Sequence, residues 1–222
     1  MTGPGPADPA PPDPAPVGTP PPASSSGLPS WTSNLTSTAP VAGPAGLYYA
    51  DVPNRTIAYI IDAIILGVVN LLVAWVLGLI GLNAFSVNTG ATTINNLLTY
   101  NPIVGLIQAL IFAAISGAYF IYTWTEMRGS VGQRALGMQV GNASDGKTLT
   151  MDQAIKRWIA LGAPFGIAQA LNPLPGLGML IGLAAFVWFI ALLVTTAQSP
   201  TKQGLHDQYA GTVVVKAARA VG

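Results

Sequence analysis

From Ile57 to Leu82 the chain reads IAYIIDAIILGVVNLLVAWVLGLIGL, 26 residues that hold one charge, Asp62, and one amide, Asn70. An α-helix rises about 1.5 Å per residue, so some 20 residues cross the roughly 30 Å hydrocarbon core of a bilayer. The stretch is therefore long enough to span, with residues left for tilt or an interfacial end. The whole composition agrees: 51% of the 222 residues are hydrophobic and 8% are charged, where a soluble chain carries about 25% charged residues. So few ionic groups could not cover a water-soluble globule.

Other classes fall away on the same arithmetic. A net charge of +1, with no run of Lys or Arg longer than Lys156-Arg157, supplies no basic field for phosphates, so no nucleic-acid partner is expected. Zero Cys and a single His exclude disulfides, iron–sulfur clusters, thiolate zinc sites and a multi-histidine metal centre. Neither a metal nor a cofactor is expected.

Working outward, a second span reads from about 103 to 124, after a proline suited to a first helical turn at Pro102. The uncharged residues 83–101 between the spans read as an exterior loop. The segment from Thr125 to Arg157 gathers Arg128, Arg134, Lys147, Lys156 and Arg157 beside Glu126, Asp145 and Asp152, and the positive-inside rule makes it cytoplasmic. Within it, Ser130 with Gln133 and Thr150 with Gln153 fit capping boxes that predict helix starts near Val131 and Met151. ASDGK at 143–147 reads as a turn between extended pieces at 137–140 and 147–150.

The apolar run from Trp158 to Ala197 is too long for one crossing and is broken by NPLPG at 172–176. It is read as spans over about 154–171 and 177–196 joined by a tight turn, with a re-entrant pair as the alternative. The expected fold is thus an all-α membrane protein of four transmembrane helices with a small cytoplasmic loop region and both termini cytoplasmic. Tyr122, Trp124 and Trp158 are expected at the cytoplasmic headgroups and Tyr100 at the exterior ones. Residues 1–47 carry most of the prolines that precede the first span and read as a disordered, proline-rich cytoplasmic tail, with no signal peptide. Residues 217–222 form a short C-terminal tail.

Few residues could carry chemistry. Asp62 and Arg55 lie seven apart, on one helix face about 10 Å from each other along the axis. A carboxylate at the bilayer centre is costly, so Asp62 is either the centre of a proton or cation relay or an interfacial residue of a helix set slightly lower. Asn70, Gln108 and Gln169 could coordinate an ion, although interhelical hydrogen bonding is the commoner use of such amides. GAPFG at 162–166 and GMLIG at 178–182 match a small-xxx-small packing pattern. His206-Asp207 lacks the surrounding nucleophile of a catalytic motif, so no catalytic residue and no enzyme is expected.

Three pieces, RTIAYIID at 55–62, RGSVGQRALGMQV at 128–140 and GLHDQYAGTVVV at 204–215, together resemble the RDD family of bacterial multi-pass membrane proteins over roughly residues 48–216. The resemblance implies that Arg55, Asp62 and Asp207 form the family's ionic cluster, with Arg134 and His206 as supporting polar residues. One departure is Gln133, where a basic residue is commoner. It also implies a place in the bacterial cytoplasmic membrane and an association of some members with cation/proton exchange. GTVVV at 211–215 is expected to add a strand to a small cap beneath the bundle.

Two functions follow as expectations. The first is transport of a small cation or proton-coupled exchange centred on Asp62, for which a homo-oligomer would enclose the pathway. The second is a non-catalytic membrane scaffold whose proline-rich tail recruits a protein partner. The lipid bilayer is a partner under both.

Overall fold

The computed structural model describes residues 41–43, 47–94, 97–171 and 176–216. The proline-rich tail up to residue 40, residues 172–175 of the NPLPG turn and the C-terminal tail lie outside them. The chain is mostly helical. Helix α1 runs Val52–Leu79, α2 Pro102–Glu126, α3 Val131–Ala135, α4 Met151–Leu171, α5 Leu177–Gln198 and α6 Leu205–Ala210.

Three of these helices, α1, α2 and α5, are long and apolar enough to cross a membrane. Their outer faces carry large apolar side chains with nothing packed over them, Leu71 at 70% and Trp75 at 64% exposure among them, as lipid-facing surfaces do. Pro53 sits in the first turn of α1, where its missing N–H costs nothing. The α2 start is fastened by Asn101, whose side chain accepts from the backbone N–H of Ile103 (3.1 Å) and Val104 (3.2 Å). Helix α4 is also long, 21 residues or about 32 Å, but its first turns carry Asp152, Lys156 and Arg157, so only its later part is apolar. It packs on both sides: the Trp158 indole N–H donates to Ser116 on α2 (3.2 Å), and that of Trp188 on α5 donates to the Ala160 carbonyl (2.9 Å).

The expected exterior loop contains a hairpin of β2, Phe85–Val87, and β3, Leu98–Tyr100. At the other end lies a three-stranded antiparallel sheet of β1, Tyr48–Tyr49, β5, Thr212–Lys216, and β4, Met138–Asn142, in the order β1-β5-β4. Val213, Val214 and Val215 of β5 are all buried. GTVVV therefore forms the central strand of a cap, whereas residues 147–150 are not a strand; they hold Asn142 only through the Lys147 carbonyl (2.9 Å). Both capping boxes form as expected. Ser130 Oγ accepts from Gln133 N–H (3.3 Å) and Thr150 Oγ1 from Gln153 N–H (3.2 Å), each reciprocated by the glutamine side chain.

One packing expectation is corrected. Trp124 is 1% exposed and sits in the core with Phe120, Met138, Val140 and Val214, not at a headgroup belt, because the cap covers that end of α2. Of the small-xxx-small glycines, Gly178 is buried at the start of α5, while a Cβ on Gly166 or Gly182 would meet nothing within 4 Å. The tightest contact of a glycine with backbone is at Gly132 of α3, where a Cβ would stand 2.1 Å from the Ala58 carbonyl oxygen of α1.

Candidate functional site

Arg55 projects from the first turns of α1 toward the cap. Its Nη1 pairs with Asp207 Oδ2 at 2.6 Å, its Nε donates to the Ala50 carbonyl (3.0 Å) and its Nη2 to that of Val214 (3.4 Å). One planar guanidinium thus ties the helix start to the sheet and to α6, a use for which a lysine has the wrong donor geometry. Asp207 is fully buried. It also accepts from Gly204 N–H (3.3 Å) and Thr212 Oγ1 (3.1 Å), and from a second guanidinium, Arg157 Nη1.

Arg157 was counted in the sequence only as a loop charge, yet it is 2% exposed on α4. Its Nη1 donates to Thr212 Oγ1 (2.7 Å) as well as to Asp207, and its Cζ lies 5.0 Å from the Trp124 ring centroid, a cation–π contact. Two arginines, one buried and one part-buried, therefore share one carboxylate. His206 Nε2 lies 3.5 Å from Asp207 Oδ2. Burial first, and then the positive charges of Arg157 and Arg55, hold the imidazole well below its usual pKa, so it is neutral at pH 7.

Asp62 stands apart from this group. The carboxylate is 2% exposed, and its hydrogen bonds come from neutral donors: Tyr119 Oη on α2 (2.7 Å), Gly132 N–H (2.8 Å) and Ser130 Oγ at the start of α3. Protein, not lipid, covers it. The three motif residues are thus split, with Arg55 and Asp207 in one network and Asp62 in another. Arg134 joins neither; it is exposed on α3. Gln133, the departure from the commoner basic residue, accepts from Trp124 Nε1 (3.1 Å) and from Ser130 N–H (2.9 Å), and so locks the Asp62-binding turn onto α2. Gln108 donates to the Leu82 carbonyl (2.6 Å), joining α2 to the end of α1, while Asn70 Oδ1 is buried with no partner among the described residues.

Both networks border one cavity of about 100 Å³, partly open, between α1, α2, α4 and α5. Arg55, Arg157, His206 and Asp62 line it, and Phe165, Phe189 and Leu193 supply apolar wall. Among the described residues no three of His, Asp and Glu gather as a metal site.

The family described as RDD family matches residues 49–211, most of the chain. The uncharacterized protein YxaI of Bacillus subtilis (strain 168) is 27% identical over 174 residues, covering 78% of this chain and 97% of that protein. No solved structure matches.

Proposed function

The chain belongs to the RDD family, and on that premise we propose that it is a four-span membrane protein that exchanges protons for a small cation, with Asp62 as the exchanging group. The observation that carries the reading is the setting of Asp62. It is a buried carboxylate on the wall of an internal cavity, held only by neutral donors. A buried carboxylate without a cationic partner is expensive unless its charge can be neutralised. A proton or a small cation arriving through the cavity does that in exchange.

The span count is supported by the cap. Strands β1, β4 and β5 share one sheet, which supports reading residues 48–49, 138–142 and 212–216 as lying on one side of the membrane. Between β4 and β5 the chain must therefore cross an even number of times. Since α5 is long and apolar enough to cross, α4 is its return partner. Burial of Arg157 inside the protein removes the main cost of placing the start of α4 near lipid. The surplus of Lys and Arg in the segment bearing β4 supports a cytoplasmic assignment for that side, and the reading involves no catalytic step.

The test is direct. Proteoliposomes holding the purified chain under an imposed pH gradient should lose the gradient when Na⁺, K⁺ or Li⁺ is added. A gradient that responds to none of them, as in protein-free vesicles, rules the exchange reading out.

A further inference from the structure

The charges at the cap end of the cavity do not balance. Arg55 and Arg157 share Asp207 and His206 is neutral, so the directly paired group carries one excess positive charge, offset only at longer range by Asp51 at the start of α1, which attracts Arg55 without a direct ion pair. The carboxylate of Asp62 is about 10 Å further along α1, seven residues on, and its own donors engage it. An uncompensated buried charge is among the costliest features a fold can hold. Two polar atoms at this end also lack partners among the described residues, Arg157 Nε and His206 Nδ1, and both side chains line the cavity.

On its α4 and α5 walls the cavity is polar at one end and apolar at the other. Phe165 lies two turns beyond Arg157 on α4, and Phe189 two turns beyond Thr196 on α5, so these two helices change from polar to apolar in the same direction, from cap to membrane interior, while α1 brings Asp62 to the far level. Tyr59, a lining residue of α1 at 39% exposure, marks a side on which the cavity is open. A volume of about 100 Å³ equals the liquid share of roughly three waters. That holds a phosphate or carboxylate group, but not an acyl chain, which would have to leave by the open side.

We propose that this cavity binds the anionic headgroup of a membrane lipid, with the headgroup against Arg157 and Arg55 and the first methylenes against Phe165, Phe189 and Leu193. The lipid completes the charge of the arginine network and stands in the orientation lipids hold in the cytoplasmic leaflet. The lipid headgroup shares the cavity through which the exchange reading brings ions to Asp62, but its test measures binding without any ion gradient, so the two readings fail separately.

Native mass spectrometry of the whole chain in a neutral detergent reads it, with phosphatidylglycerol as probe and phosphatidylcholine and inorganic phosphate as controls. One phosphatidylglycerol should be retained per chain, in preference to phosphatidylcholine, and excess inorganic phosphate should not displace it. Arg157→Gln should weaken retention about tenfold, the worth of one charge-assisted hydrogen bond. Leu193→Trp, which fills the wall and leaves the ionic network intact, should weaken it comparably and keeps the test valid if the arginine variant fails to fold. Equal retention of the two lipids, displacement by phosphate alone, or undiminished binding by Leu193→Trp would each overturn the proposal.

Discussion

Asp207 shows how one side chain can hold three elements, since α1, α4 and β5 all send donors to it. Removing its charge strands the buried guanidinium of Arg157 and the part-buried one of Arg55, so Asp207→Asn should cost about 3–5 kcal/mol of stability, read as denaturant unfolding in detergent. Arg134→Ala, at an exposed side chain, should stay within about 0.5 kcal/mol of the native protein. His206 is the only histidine, so its titration can be assigned without ambiguity. Its folded pKa is depressed, which means that below about pH 6.5 the unfolded chain takes up a proton that the folded chain refuses. Stability should therefore fall as pH drops through that window, by up to about 1.4 kcal/mol per pH unit, and should be flat in this respect above it. His206→Gln should remove that slope, and an imidazole resonance titrating near 6.5 in the folded protein would contradict the assignment. Of these residues, Arg55 and Asp207 were legible in the sequence through their motif resemblance. Arg157 was not, because a single charge at the start of an apolar run reads equally as the end of a cytoplasmic loop.

At the scale of elements, α3 is only five residues long, yet it seats the turn that binds Asp62. Its position depends on Gly132, whose absent side chain lets the backbone reach Ala58 and donate to the carboxylate. Gly132→Ala forces backbone against backbone and should cost about 1–3 kcal/mol, the usual range for overpacking. Gly182→Ala, where the added methyl meets nothing, should be neutral or slightly stabilising, as helix propensity favours alanine. A thermal-unfolding series in detergent distinguishes the two. Helix starts at Val131 and Met151 were legible because a capping box is local chemistry, Ser130 with Gln133 and Thr150 with Gln153. The partners of Asp62 were not, because Tyr119 and Ser130 reach it across separations of 57 and 68 residues.

For the whole molecule, the three long apolar helices were plain in the hydropathy, and the sheet that joins residues 48–49, 138–142 and 212–216 was only half visible, as a valine run without its partners. That sheet governs topology. With no native cysteine, single-cysteine variants report sidedness cleanly: Ser144→Cys should react with an impermeant maleimide only from the cytoplasmic face, and Thr89→Cys only from outside. Leu177→Cys, at the start of α5, should also react from outside. Protection of Leu177→Cys from both sides would indicate a re-entrant α4–α5 pair in place of two crossings. The same vesicles carry the measurement that decides the central claim, the comparison of native protein and Asp62→Asn at matched insertion and matched thermal stability. Cation-driven proton movement should be present in the native protein and lost in Asp62→Asn, whose amide keeps the size of the side chain but holds no exchangeable charge. Undiminished exchange by a folded Asp62→Asn protein would make Asp62 an architectural clamp on α3 and contradict the account.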